Sequence, residues 1–130
     1  MGVTSLAAAP RPDLAGYRIQ IPGQPSVWLI DQQGYKRGIP NPTTYNNLFR
    51  NWSGIVADVD ANEIANGPGL DDGAVLLKGS ATPSVYIIDG GKKRGITSPA
   101  VMDQYYFNWG TIVVIPDILL NAIPNGSIWA

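Results

Sequence analysis

Apolar and polar residues alternate in short runs along this chain, and glycine, proline or aspartate closes most of them. Val27–Asp31 and Val85–Asp89 are apolar, β-branched and aromatic stretches bounded by turn residues, which predicts strands. Tyr17–Ile21 and Ala74–Lys78 predict a strand before each, and Tyr35–Ile39 and Lys92–Ile96 one after. Asp89-Gly90-Gly91-Lys92 marks a tight hairpin, because glycine accepts the positive φ that primed turns need. Asn41-Pro42 and Ser98-Pro99 place a capping side chain ahead of a proline suited to the first helical position. Tyr45, Leu48 and Phe49, and later Met102, Tyr105 and Tyr106, make apolar stripes at helical spacing. Ile55–Val59 and Thr111–Ile115 predict further short strands. Asp60 with Glu63 predicts a second capped helix, and Asp117 opens its counterpart. Gly69 and Gly126 end the two stretches, each roughly β-β-β-α-β-α.

The two stretches are copies. Pro25-Ser26-Val27-Trp28-Leu29-Ile30-Asp31 returns as Pro83-Ser84-Val85-Tyr86-Ile87-Ile88-Asp89. Lys36-Arg37-Gly38-Ile39 returns as Lys93-Arg94-Gly95-Ile96, after a turn one residue shorter. Asn51-Trp52 matches Asn108-Trp109, and Ile55-Val56 matches Ile112-Val113. So many matches in one order, at a period of about 57 residues, mark a tandem duplication. The expected fold is α+β: two tandem pseudo-twofold repeats of short antiparallel strands plus two short helices, forming one compact domain. Residues 1–14 are expected as a flexible N-terminal arm, 15–72 as repeat 1, and 73–130 as repeat 2 with a C-terminal closing strand. That strand, Ser127-Ile128-Trp129, resembles the opening of a third copy and is expected to pair with the preceding units. One unit alone would bury only about 60% of its unfolded surface, so the copies are expected to pack together.

Composition narrows the chemistry. The chain has 130 residues, no cysteine and no histidine, which removes disulfides, thiolate or histidine metal sites and a Ser-His-Asp triad. A net charge of −1 gives no long-range pull on phosphate, so nucleic acid is not an expected partner. No apolar run is long enough for a transmembrane helix. Met1–Leu14 lacks the basic start and apolar stretch of a signal peptide.

Three groups of residues are candidates for function. Lys36, Arg37, Lys93 and Arg94, with Lys92, put five of the nine basic residues at one place in each copy. They suit anionic or hydroxyl groups, or else keep exposed strand edges from aggregating, or bridge the copies through Asp31 or Asp89. The matched aromatics Trp28 and Tyr86, and Trp52 and Trp109, have the composition of a sugar platform backed by Asn51, Asn108, Asp31 and Asp89. Their plainer reading is core, with Trp52 and Trp109 plugging the end of the preceding helix. Asp58-x-Asp60-x-Asn62 begins like a calcium loop but lacks its glycine and bidentate glutamate, and the second copy does not repeat it. Asp71-Asp72-Gly73 reads as a turn between repeats.

The pattern V-(W/Y)-(L/I)-I-D, a glycine turn, K-R-G-I, (N/S)-P and N-W resembles a bacterial tandem repeat of exported and surface proteins. The likeness covers about residues 16–130 and implies an extracellular module that attaches to, or binds, glycan or cell wall. It implies no catalytic residues and no cofactor. The expected function is therefore a non-enzymatic, lectin-like binding protein with two pseudo-equivalent sites for a glycan or cell-surface polymer. Those sites comprise Trp28, Asp31, Lys36 and Arg37, and Tyr86, Asp89, Lys93 and Arg94, multiplied by homo-oligomerisation. The alternatives are a structural or protein-interaction module and, third, an enzyme or enzyme inhibitor.

Overall fold

The computed structural model describes residues 8–57 and 59–130, leaving the side chains of residues 59 and 60 aside. Over the described residues it is an α+β chain with two four-stranded sheets and three short α-helices. Contacts group it into two compact units. One runs to Gly38 and resumes over Gly54–Gly69; the other takes Ile39–Ser53 with Leu70–Ala130.

In the first unit, β1 (Arg18–Gln20), β2 (Val27–Ile30), β3 (Lys36–Gly38) and β4 (Val56–Ala57) form a sheet of order β3-β2-β1-β4. The first three strands are an antiparallel meander, and β4 joins β1 in parallel. Ile19, Ile30, Ala61 and Ile64 make a core cluster, with Leu14, Ile21 and Trp28 packed against it. Of the arm expected over 1–14, residues 1–7 lie outside the description. Ala9 forms a parallel bridge with Ile64, and Pro12–Leu14 make a 3₁₀ turn. Gly34 (φ +90°) lies so close to the Arg11 and Pro12 backbone that a Cβ there has no room.

The helix expected after Asp60 is instead a 3₁₀ turn, Val59–Glu63. The chain leaves helical geometry because other segments take its backbone groups: Ala65 N–H donates to Ala9, and Ala65 C=O accepts from Lys36 N–H. Capping by Asp60, and the Asp58 cluster, fall outside what is described.

The second unit repeats the sheet. Here β5 (Leu76–Gly79), β6 (Val85–Asp89), β7 (Lys92–Gly95) and β8 (Val113–Ile115) are ordered β7-β6-β5-β8, with the same mixture of antiparallel and parallel pairs. Gly90 and Gly91 have φ of +63° and +73°, the paired positive values of a two-residue primed turn. α1 (Pro42–Leu48) and α2 (Pro99–Gln104) start where their caps predict. Asn41 Oδ1 accepts from Thr44 N–H and Ser98 Oγ from Val101 N–H, each satisfying an orphan donor of the first turn. Past α1 and α2 the chain segments meet at a Phe49–Phe107 antiparallel bridge, and Arg50 pairs with Asp103 at 2.5 Å. Tyr45, Phe49, Tyr105, Phe107 and Trp129 form a chain of buried rings, adjacent centroids 4.7–5.8 Å apart.

α3 (Asp117–Ala122) opens on Asp117 as expected, and Asp117 Oδ1 accepts from Ala81 N–H at 3.4 Å. Pro116 precedes it, and the Pro116 C=O accepts from Leu119 and Leu120 N–H. Asp71 makes the expected turn, and its Oδ2 also accepts from Gly91 N–H. The closing segment pairs as expected: Trp129 N–H donates to Gly95 C=O, in a parallel bridge beside β7. Among the described residues no helix is long and apolar enough to cross a membrane.

Candidate functional site

The repeated Lys-Arg strands hold their charges inward. Lys36, Arg37 and Lys93 are buried, at 4%, 6% and 6% exposure, rather than facing water along an edge. Lys36 Nζ donates to Ala61 C=O at 2.8 Å, and Lys93 Nζ to Ile123 C=O at 2.7 Å. Arg37 pairs with Asp31 at 3.4 Å and donates through Nε to Pro68 C=O. Arg94 pairs with Asp89 at 2.8 Å and donates to Ser127 and Ile128 C=O. Each Arg-Asp pair therefore lies within one copy and does not bridge the two. In both copies the strand cations tie down carbonyls of the segment that follows the last strand. This is capping chemistry applied between segments, and it explains why the motif recurs.

The matched aromatics of β2 and β6 take part in the same arrangement. Trp28 and Tyr86 are half-buried, with their rings lying against Gly38 and Gly95 of the neighbouring strand. Lys36 Nζ lies 5.3 Å from the Trp28 centroid and Lys93 Nζ 5.8 Å from that of Tyr86, both within cation–π range. Asp31 Oδ1 accepts from Gln33 and Tyr35 N–H, closing its turn. The eight residues thus come together as two sets of four, mostly engaged with backbone and with one another.

Burial pushes the Lys36 amine below the ordinary lysine value of 10.5. Between that depressed value and 10.5 the unfolded chain binds the extra proton, so raising pH through this window favours the fold. Lys36→Met lacks this titration. Chemical denaturation of both proteins between neutral pH and 10.5 should shift the stability difference toward the wild type. Parallel pH curves would contradict it.

The Asn-Trp pairs correct the expectation of a core plug. Trp52 and Trp109 are 47% and 48% exposed. Trp52 lies flat on Tyr45, centroids 3.8 Å apart, and its indole N–H donates to Asn46 Oδ1. The core place at the helix end is filled by Tyr45 itself, whose hydroxyl donates to Asn51 C=O. Asn51 and Asn108 each close a local turn, accepting from Ser53 and Gly110 N–H.

Trp109 stands over an open groove. One half, about 310 Å³, is lined by Pro83, Ser84, Val85, Thr97, Ser98 and Met102 among others. The other, about 350 Å³, is lined by Lys78, Ile112 and Val114, and shares Pro83, Val85 and Trp109 with the first. The groove floor follows from strand register: Val85, Lys78 and Val114 are direct partners across β6, β5 and β8, so they share one face. Of the residues lining this groove, Trp109 alone stood among the candidates for function in the sequence. The repeated Pro-Ser-Val at 25–27 and 83–85 was the available signal for the rest, since it opens β6 on the groove.

Among the described residues no group of acidic side chains could hold a metal ion. No known protein family, curated protein or solved structure matches the chain.

Proposed function

We propose that the chain is a non-enzymatic carbohydrate-binding module whose saccharide site is the Trp109 groove. The observation that carries this reading is a half-exposed indole standing over a cleft with hydroxyl groups on its rim, from Ser84, Thr97 and Ser98. A flat aromatic face takes the C–H side of a pyranose, while short polar side chains meet its hydroxyls. The carboxylates Asp31 and Asp89 are ion-paired within their own copies, which favours a structural role for them over acid–base catalysis. The resemblance to exported repeats favours an extracellular glycan or cell-wall polymer as the target, bound by several weak sites together.

A glycan array, followed by titration of the best ligand with intrinsic tryptophan fluorescence, tests the reading. Trp109→Ala should weaken binding at least about tenfold, with the fold unchanged by circular dichroism. Equal affinity of the variant and the wild type sinks it.

A second reading is a protein-interaction module. It is favoured by β8, a sheet edge where Val113 and Val114 are exposed beside Ile118 and Leu119 of α3. An extended apolar peptide adding to that edge would be its ligand. Capture of such a peptide, lost in Val114→Lys, with a blank glycan array, would decide for it.

A further inference from the structure

We infer that the Trp109 groove is selective for acidic saccharides: a uronic-acid ring stacks on Trp109 while Lys78 receives its carboxylate. This rests on the carbohydrate reading above and names the ligand class within it.

Lys78 is the one charged residue among those lining the two halves of the groove. Its place on the floor is set by register, between Val85 and Val114 on the same face of the sheet. It is half-buried, and among the described residues nothing is bonded to its Nζ. The other strand cations contrast with it. Arg37 and Arg94 meet carboxylates, while Lys36 and Lys93 meet carbonyls. Among the described residues no carboxylate lines this largely apolar cleft, so Lys78 presents an uncompensated positive charge to a ligand there.

The duplication supplies a control. Gln20 holds the register position of Lys78 in the first sheet, opposite Val27 and Ala57. Its amide donates to Gln24 C=O at 2.9 Å. The fold therefore accepts a neutral side chain at this position, and the charge at 78 is not a requirement of the sheet. The buried Lys-Arg motif, by contrast, is kept in both copies because both folds need it.

The test uses the full chain and oligogalacturonate, with the same oligosaccharide after carboxyl reduction as its neutral twin. Tryptophan fluorescence reads both titrations. The acid should bind about tenfold tighter, as for a hydrogen bond to a charged group, and the advantage should shrink with added salt. Lys78→Gln should bring the acid down to the affinity of the neutral sugar, whereas Lys78→Arg should retain the preference. Equal affinities in the wild type, or a preference that survives Lys78→Gln, overturn the inference. If the neutral sugar binds and Trp109→Ala abolishes it, that failure leaves the carbohydrate reading standing. If neither sugar binds, the inference falls, and the array decides the broader reading.

Discussion

Trp129→Ala should lower the free energy of unfolding by about 3–5 kcal/mol, the cost of removing a fully buried large aromatic. The indole is completely buried, edge-on to Tyr105 at 5.4 Å and near Phe107 at 6.1 Å. The Arg94 guanidinium lies 4.6 Å from its centroid. Removing the ring therefore opens a cavity and takes a stacking surface from Arg94 at once. Among the described residues its buried indole N–H has no hydrogen-bond partner, so that atom contributes a penalty rather than a bond. Trp129→Phe, which keeps apolar volume and deletes the orphan donor, should cost clearly less. Urea denaturation checks both. A loss below about 1 kcal/mol for the alanine variant would mean that the ring cluster does not hold this segment.

The second large effect lies at Arg94. Arg94→Met removes an ion-pair partner of Asp89, whose side chain is 8% exposed, and the donors to Ser127 and Ile128. Breaking a buried pair from one side costs about 3–5 kcal/mol, because the remaining charge stays desolvated. Asp89→Asn combined with Arg94→Met leaves no lone charge and should recover part of that loss. The coupling is read from a double-mutant cycle in urea. Additive losses would show that the two side chains do not depend on each other. Arg37 with Asp31 is the built-in comparison: the contact is longer, 3.4 Å against 2.8 Å, and so the weaker ion pair. Arg37→Met should therefore be milder than Arg94→Met.

Local signals carried most of the fold. The Gly90-Gly91 turn, the Asn41 and Ser98 caps and the apolar runs of β2 and β6 are each decided by neighbours in sequence, and all stand where the residues predict them. The helix expected after Asp60 failed for a distant cause: the turn at 59–63 stays short because the following backbone bonds to Ala9 and Lys36. Asp117 opens α3 as expected, while its bond to Ala81 is one that no local pattern encodes.

The candidate site was less legible, for a related reason. The repeated Lys-Arg motif stood out as charge, but its acceptors at Ala61, Pro68, Ile123 and Ser127 are backbone carbonyls, which leave no trace in the letters. The exposure of Trp52 and Trp109 was hidden too, since Tyr45 and Met102 of the preceding helical stretches take the buried places instead, and either arrangement has the same composition. The groove is assembled by register between β5, β6 and β8, and Lys78 acquires its meaning only there.

The sheet order β7-β6-β5-β8 also bears on the order of events during folding. β5, β6 and β7 are joined by short turns, so the meander closes with little loop entropy. β8 reaches β5 only after the chain has passed through two strands and α2, and its parallel pairing is the costlier long-range step. It is the strand expected to dock last and to open first. Val114 puts part of the floor of the Trp109 groove on that late strand. Any ligand held in that groove would then clip β8 to the finished meander, coupling occupancy of the groove to completion of the sheet.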